Sequence, residues 1–305
     1  MIKRTLYFGN PAYLSTTLEQ MVIKVVETGE TKTAPIEDIG VVILDNQQIT
    51  ITQALMAKLL NNNVALITCD NTHHPTGLLL NLDGNTLQSR IFGAQLDASE
   101  PLKKQLWQQT IMAKISNQAA VLGMQAGSDN LFKQPDKLLT NMAKEVKSGD
   151  TDNMEARAAG YYWKNLFPDF LNFSRDRYGE PPNNLLNYGY AIIRAVVARS
   201  LVGSGLLPTL GIHHTNQYNA YCLADDIMEP YRPYVDRVVC DIVGMNGQYL
   251  EMTPKMKEQL LKIPAMDVRI DDQRSPMMNA IQRTTASLAK CYEGKLRKIL
   301  YPVIE

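Results

Sequence analysis

The sequence predicts an α+β fold of two domains, a small β-rich N-terminal domain followed by a larger all-α C-terminal domain. Hydrophobic residues alternate or form short runs up to about residue 90, and beyond residue 99 they recur every three or four positions. Of the 305 residues, 45% are hydrophobic and 20% are charged, so the chain can bury a sizeable core. We place the two domains at residues 1–90 and 91–305.

The N-terminal domain is predicted from short segments with strand patterns. Residues 21–27 alternate apolar and polar side chains, and residues 39–45 and 64–70 are β-branched apolar runs that end at Asp-Asn turns. Residues 77–84 fit a strand that enters an Asp-Gly turn. Residues 49–63 fit one short helix that ends at a run of asparagines.

The C-terminal domain is predicted to begin with a long helix at Ser99-Glu100-Pro101, where serine caps the helix and proline occupies its first turn. Apolar residues from Leu102 to Leu122 mark the buried face of this helix. Further helices are expected over residues 136–147, 152–167, 184–203, 216–229, 234–243, 253–263 and 272–299, with a loop at 176–184.

The composition argues against several classes of protein. A run of about 18 apolar residues and a signal-peptide pattern are both missing, so we expect no membrane span and a cytoplasmic location. The scattered cysteines form no CxxC pair, which argues against a zinc ribbon or a disulfide framework. Residues 1–100 carry 6 Lys and Arg against 10 Asp and Glu, whereas residues 101–305 carry 25 against 21, so the chain has no uniformly basic coat.

Glu155 is the first candidate for chemistry. It shares a helix face with Ala158 and Ala159, whose small side chains let a neighbouring element enclose the carboxylate. An enclosed carboxylate requires a partner, and a cation would serve. Taken alone, however, the segment favours a capping box, in which Asp152 caps the helix and Glu155 is its N3 residue.

The second candidate is the segment 211–233, which holds two histidines and three carboxylates within a short stretch. Asp226 and Glu229 would share a helix face, and Pro230 is expected to push Glu229 out of the helical conformation. Together with Glu155, these groups would form a mixed oxygen and nitrogen site that suits Mg²⁺ or Mn²⁺. The alternative is a solvated acidic helix end with a nearby arginine as counter-ion.

Two further patterns favour structural interpretations. His73 and His74 lie in a loop between strands, where a surface turn is favoured over a second metal site. Arg194 and Arg199 follow two tyrosines on one helix, a combination that can grip a nucleic-acid strand. A core helix with snorkelling arginines is the favoured interpretation. The sequence contains neither a GxxxxGK[ST] phosphate loop nor a GxSxG nucleophile elbow.

Together these segments resemble the CRISPR-associated integrase family, the universal adaptation endonuclease often written "Cas one". The resemblance runs almost end to end and rests on residues 35–77, 153–163, 185–214 and 223–233. Its most specific part is a GxxH pattern followed by the block DIMEPYRP, which matches DxMEPxRP. The residues around this block resemble those of the type II branch of the family.

The resemblance implies a helical catalytic C-terminal domain with a divalent-metal site. Its ligands, which are also the catalytic residues, fall on Glu155, His214 and Glu229, and Asp226 matches an auxiliary acidic position. His213 occupies a position that is usually apolar in the family, so His214 is preferred. The implied cofactor is Mg²⁺ or Mn²⁺.

The resemblance also implies the reaction and the partners. The 3′-hydroxyl of a short captured duplex would attack a phosphodiester at the repeat boundary of a CRISPR array, with DNA hydrolysis as a weaker activity. The β-rich domain would serve dimerisation and partner contacts. Homodimers would join a small second adaptation protein ("Cas two") in a heterohexamer, and in type II systems the effector nuclease and an accessory adaptation subunit are further expected partners.

DNA would require a basic surface that the near-neutral charge does not reveal. We expect the positive charge of the helical half to line one groove, with contacts from Arg90, Arg157, Arg175, Arg177, Arg194 and Arg199. Two other functions fit the sequence. One is a metal-dependent hydrolase of small phosphoesters that uses the same ligands, and the other is a catalytically silent nucleic-acid scaffold in which Glu155 only caps a helix.

Overall fold

The computed structural model describes residues 3–126, 135–167, 173–246 and 250–305. Its N-terminal part consists of strands β1 (Arg4–Phe8), β2 (Ala12–Thr17), β3 (Gln20–Val25), β4 (Thr31–Pro35), β5 (Ile39–Leu44), β6 (Thr50–Ile51), β7 (Ala65–Cys69) and β8 (Pro75–Leu79), with helix α1 (Gln53–Asn61) between β6 and β7. Short alternating or β-branched segments thus form strands, as expected. This β-rich region is confirmed.

The strands form two four-stranded sheets. In the first, β1, β5 and β7 run parallel and β8 pairs antiparallel with β7, in the order β1-β5-β7-β8. In the second, β2, β3 and β4 form an antiparallel meander and β6 runs parallel to β2. The strands β1, β2 and β4 were not predicted, and β6 lies where the predicted helix over 49–63 was expected to begin, since α1 starts only at Gln53.

The first sheet is covered on both faces, which explains its continuous apolar strands. Val41 and Ile43 of β5 belong to the large core shared with the helices, whereas Val42 packs into a smaller core with Leu55 and Leu59 of α1. The β-rich part therefore packs directly on the helical part. The predicted boundary at residue 90 falls inside helix α2 (Gln88–Leu96), which lies in the connection between the two regions.

The remaining helices form the C-terminal half around a long central helix. They are α3 (Glu100–Ala126), α4 (Pro135–Glu145), α5 (Met154–Leu166), α6 (Asn183–Gly203), α7 (Cys222–Met228), α8 (Arg232–Asn246), α9 (Pro254–Leu261) and α10 (Met277–Tyr292). Helix α3 packs against α4, α5, α7 and α8. Helix α3 therefore contacts both α5, which carries Glu155, and α7, which carries Asp226.

The C-terminal half is helical but not all-α, which corrects the prediction. Strands β9 (Asp267–Ile270) and β10 (Gln273–Pro276) form an antiparallel hairpin where a helix over 272–299 was expected. Asp271 and Asp272 turn the hairpin with φ of 50° and 56°, a conformation that interrupts a helix. Helix α10 begins only after this hairpin.

The helix expected over residues 216–229 is also shorter, since α7 begins at Cys222. The side chains of Asn216 and Asn219 accept hydrogen bonds from the backbone of Tyr218 and Tyr221 at 2.9 and 3.0 Å, and such local turns compete with a helix. Glu229 keeps helical angles (φ −51°, ψ −46°), contrary to expectation. Helix α7 nevertheless ends at Met228, just before Glu229, as the proline predicted, and Pro230 lies in the 3-10 turn Glu229–Tyr231 that leads into α8.

Helix α6 is the one described helix that is long and apolar enough to cross a membrane. Its most apolar window is 78% buried inside the protein, and it packs against β7, α7, α8 and α10. Its composition therefore follows from its position in the core.

Candidate functional site

Glu155 lies in the first turn of α5 and is positioned by a neighbouring loop. The carboxylate of Asp150 accepts hydrogen bonds from the backbone N–H groups of Met154 and Glu155 at 2.8 and 3.0 Å. Asn153 precedes the helix with a left-handed φ of 50° and makes no side-chain cap. Asp152 instead pairs with Lys147 at 2.6 Å. The capping box of Asp152 and Glu155 is therefore wrong, and the Glu155 carboxylate is free to face the site.

Lys114 of α3 connects two of the predicted ligands. Its Nζ atom lies 2.6 Å from Oε1 of Glu155 and 2.6 Å from Oε2 of Glu229. The lysine and Glu229 side chains are almost buried, at 11% and 6% exposure, and Glu155 is 25% exposed. The fold thus brings carboxylates from α5 and from the turn after α7 to the same ammonium group, that of Lys114.

The Glu229 carboxylate is held as an anion despite its burial. Arg232 Nε lies 3.0 Å from its Oε1 atom. Burial alone would raise the pKa of Glu229, but the charges of Arg232 and Lys114 outweigh it and lower the pKa below its ordinary value. Burial likewise opposes the charge of Lys114, yet Glu229 and Glu155 raise its pKa. Glu229 and Lys114 therefore both carry charge near neutral pH.

His214 is oriented by Asp226, which is fully buried at the centre of α7. The histidine Nδ1 lies 2.5 Å from Oδ1 of Asp226, and the other carboxylate oxygen accepts the backbone N–H groups of Ile212 and His213 at 2.6 and 2.9 Å. Because a carboxylate accepts, Nδ1 carries the proton and Nε2 is left for another partner. The hydrogen bond to Asp226 raises the pKa of His214, and burial opposes it.

Trp107 lies about two turns before Lys114 on α3 and contacts the rings of His213 and His214. The His213 ring stacks on the indole with centroids 4.3 Å apart and planes within 4°, and the His214 ring meets it edge-on at 5.7 Å. His213 is thus a packing residue at a position where the resemblance leads one to expect an apolar side chain. This contact supports the choice of His214 over His213 as the chemically active histidine.

The four predicted site residues form two pairs, in which Lys114 joins Glu155 to Glu229 and His214 binds Asp226. Two residues of the site, Lys114 and Trp107, were missed. Lys114 and Trp107 lie on the predicted buried face of α3, and a lysine between Ile111 and Ile115 was the available signal. The described residues contain no cluster of three or more His, Cys, Asp or Glu already arranged around one point. The ammonium of Lys114 contacts the carboxylates of both Glu155 and Glu229. The candidate ligands are therefore near one another but do not yet surround one point.

Several of the arginines predicted to line a DNA groove have partners within the protein. Arg199 is buried and donates to the carbonyl of Asn63, and Arg194 pairs with Asp225 at 2.7 Å. Arg175 donates to Asn183 and Asn187 at 3.0 and 2.7 Å. Such partners hold the guanidinium groups in structural roles.

The remaining arginines are exposed. Arg90 pairs with Glu293 at 2.7 Å and keeps a half-exposed side chain. Arg157 and Arg177 are exposed on the surface of the helical half. The DNA contacts expected of the six arginines therefore stay a prediction.

The histidine pair in the β7–β8 loop has structural partners. His73 Nδ1 lies 2.9 Å from Oδ1 of Asp45, and His74 Nδ1 lies 3.1 Å from Thr72 Oγ1. Asp70 caps the turn through the backbone N–H groups of Thr72 and His74 at 2.9 and 3.0 Å. This arrangement is the surface turn that the sequence favoured.

Comparison with known proteins identifies a family. Residues 6–258 match the family model described as CRISPR associated protein Cas1. A CRISPR-associated endonuclease Cas1 from Neisseria meningitidis serogroup C is 38% identical over 287 residues, 94% of this chain and 91% of the relative. A second such endonuclease, from Pyrobaculum aerophilum, is 25% identical over 263 residues, 84% of this chain and 88% of the relative.

Solved structures share the fold across almost the whole chain. A casposase bound to integration product superposes with a TM-score of 0.79 at 21% identity, covering 98% of this chain and 92% of the other. A Cas1 protein from Thermotoga maritima superposes with a TM-score of 0.72 at 14% identity, covering 96% and 98%. At these identities the likeness shows the fold alone. With the family model and the Neisseria relative, it establishes that this chain belongs to the Cas1 family of CRISPR-associated proteins.

Proposed function

We propose that the protein is the divalent-metal-dependent DNA integrase and endonuclease of CRISPR adaptation. The observation that carries this proposal is the convergence of the Glu155 and Glu229 carboxylates, 2.6 Å on either side of one cationic atom, in a chain of the Cas1 family. Two carboxylates that face one cation in a mostly buried site form a suitable donor set for Mg²⁺ or Mn²⁺. The endonuclease names of the relatives support the reaction class.

Glu155, Glu229 and the Nε2 atom of His214 would hold the metal ion. The donor chemistry fits, since two carboxylates and one imidazole match hard divalent ions and the imidazole favours Mn²⁺. Oε2 of Glu229 is buried, and Lys114 Nζ lies 2.6 Å from it. When bound, the ion would polarise the target phosphate and stabilise charge on the attacking or leaving oxygen.

The surrounding residues would position these ligands. Asp226 accepts the Nδ1 proton of His214 and thereby presents its Nε2 atom, and Arg232 holds one oxygen of Glu229. The 3′-hydroxyl oxygen of the captured DNA would form a new bond to phosphorus as the bond to the 3′-oxygen of the cut strand breaks. No protein nucleophile is needed, which agrees with the missing serine and cysteine motifs.

The partners follow from the same proposal. The casposase neighbour was solved on an integration product, and another neighbour is a Cas6-RT-Cas1–Cas2 complex with a TM-score of 0.76 at 17% identity. We therefore propose that this chain binds captured DNA and the CRISPR leader-repeat as a homodimer joined by Cas2, in the cytoplasm. Residues 1–90 would provide dimer and partner contacts, and residues 91–305 the metal and DNA site.

A strand-rejoining assay tests this function. Purified protein is mixed with a branched DNA that mimics a half-integrated product, in Mn²⁺, in Mg²⁺ and in EDTA. We expect rejoining with either metal, none in EDTA, and a loss of more than about 100-fold in His214→Ala and Glu229→Ala because each removes a ligand. Lys147→Ala, which breaks only the surface pair with Asp152, is the matched control and should keep full activity.

Three outcomes would contradict the proposal. Full activity in both ligand variants would move the site to other residues, with His213 and Asp226 the next to be tested. Hydrolysis of small phosphoesters without any rejoining, even with Cas2 and a repeat-bearing plasmid present, would favour the phosphoesterase alternative. Equal metal affinity in Glu229→Ala and wild type, together with no reaction under any condition, would favour the silent scaffold.

A further inference from the structure

The described structure contains a cation within the proposed ligand set, and that cation belongs to the protein. Lys114 Nζ lies 2.6 Å from one oxygen of Glu155 and 2.6 Å from one oxygen of Glu229. The lysine is anchored on α3, whose neighbouring residues Ile111 and Ile115 are fully buried, so its backbone position is set by the core. The ammonium therefore does not reach the carboxylates by chance rotation of a surface side chain.

We propose that Lys114 is a positioning residue that neutralises and holds Glu155 and Glu229 together until a divalent cation displaces its ammonium group. This inference rests on the function proposed above. It assigns to Lys114 a competition with the metal for the same two carboxylate oxygens. The site would thus be kept assembled in the metal-free protein at the cost of weaker metal binding.

Electrostatics requires such a partner in the metal-free state. A nearly buried carboxylate without a counter-charge is costly, and breaking a buried ion pair by removing one partner strongly destabilises a protein. Arg232 pairs with Oε1 of Glu229, and among the described residues no ion pair joins it to Glu155. Lys114 is therefore the charge that relates the two carboxylates to each other.

The same electrostatics sets the competition. An ammonium and a divalent ion that share the same carboxylate oxygens would repel each other at contact distance, so the lysine must leave those oxygens when the metal binds. Removing the lysine charge leaves the two carboxylates without a competitor. Metal binding should then become tighter, whereas the metal-free protein should become less stable.

Isothermal titration of Mn²⁺ into the purified full chain, without DNA, tests this inference. We expect Lys114→Met to bind Mn²⁺ roughly tenfold more tightly than wild type. Its thermal midpoint should be lower without metal and should rise more on adding Mn²⁺. Lys114→Arg keeps the charge and should stay near wild type. Lys103→Met, on the same helix but paired with exposed Glu100, should change neither quantity.

Unchanged or weaker Mn²⁺ affinity in Lys114→Met, beside normal binding in wild type, would overturn the inference and leave the proposed metal site intact. If wild type binds no Mn²⁺ and Glu155→Ala and Glu229→Ala behave identically to it, both the inference and the proposed metal site fail. The two failures are therefore distinguishable.

A labelling measurement on wild type needs no variant and covers the case in which Lys114→Met does not fold. A lysine-acylating reagent is applied with and without Mn²⁺, and the modified residues are quantified by mass spectrometry. Displacement should increase labelling of Lys114 several-fold on adding Mn²⁺ while labelling of Lys103 stays constant. Equal labelling of Lys114 under both conditions would overturn the inference.

Discussion

Two buried carboxylate clusters of this protein use the same residue types to different ends. One is the Glu155–Lys114–Glu229 cluster in the helical half. The other lies where the first sheet meets the helices, where Asp45, fully buried after β5, binds Lys257 of α9 at 2.8 Å. Asp45 also accepts hydrogen bonds from the hydroxyl of Tyr7 and, at 2.9 Å, from His73.

The difference between the clusters lies in how the oxygens are used. Both oxygens of Asp45 accept regular hydrogen bonds, so its cluster is saturated and joins β1, β5 and the β7–β8 loop to α9. Oε2 of Glu229 lies 2.6 Å from Lys114 Nζ, and this lysine is shared with a second carboxylate, that of Glu155. A carboxylate with several donors of its own serves structure, whereas two carboxylates that share one lysine keep coordination capacity for a ligand.

Breaking the saturated cluster should have the largest effect on stability. Asp45→Ala leaves the ammonium of Lys257 buried without its counter-charge, and we expect a loss of about 3–5 kcal/mol in the free energy of unfolding. Urea denaturation monitored by circular dichroism measures it. The double variant Asp45→Ala/Lys257→Met should recover part of the loss, since it no longer buries an unpaired charge. A loss below about 1 kcal/mol would show that the cluster is not structural.

Replacing Asp226, which orients His214, should weaken metal binding without unfolding the protein. Asp226→Asn replaces the acceptor of the Nδ1 proton and removes the control of the His214 tautomer. We expect Mn²⁺ affinity to fall by about 10–100-fold, as is usual when the outer partner of a metal-bound histidine is changed. Calorimetric titration of Mn²⁺ checks this. Affinity equal to wild type would mean that His214 does not bind the metal through Nε2.

A third buried carboxylate sharpens the comparison, because tyrosine hydroxyls are its hydrogen-bond donors among the described residues. Asp236 accepts from Tyr162 at 3.0 Å and from Tyr190. Burial raises the pKa of Asp236 to about 7, whereas Lys257, Tyr7 and His73 outweigh burial and lower the pKa of Asp45. An ammonium partner therefore decides whether a buried carboxyl group ionises easily.

This contrast predicts a pH effect of moderate size. The folded-state pKa of Asp236 lies above its unfolded value near 3.8, so the folded protein holds the proton more tightly and loses stability as pH rises towards about 7. The loss should be at most about 1.4 kcal/mol per pH unit and should level off above the folded pKa. Urea denaturation of wild type and Asp236→Asn between pH 5 and 8 measures it. Parallel curves for the two proteins would contradict the raised pKa.

Local sequence rules were sufficient where burial follows directly from periodicity. Helices α3 and α6 and strands β5 and β7 lie within a few residues of their predicted bounds, because unbroken apolar patterns specify both the element and its buried face. The hairpin β9–β10 escaped prediction because the alternation in β9 covers only four residues and β10 has no apolar alternation of its own. The true cap of α5, Asp150, escaped because it acts across a left-handed turn at Asn153.

The residue pattern marked Glu155, Asp226 and Glu229 as candidates and predicted a β-rich half before a helical half, and the resemblance to the integrase family assigned these residues, with His214, to one site. They could not predict which charges meet. Lys114 lies 41 residues before Glu155 in the chain, and only the packing of α3 against α5 and α7 places its ammonium between the carboxylates. Likewise Arg199 and Arg194 find their partners in Asn63 and Asp225 through packing around α6. Electrostatic partnership depends on distance and burial, and both arise only when the helices assemble.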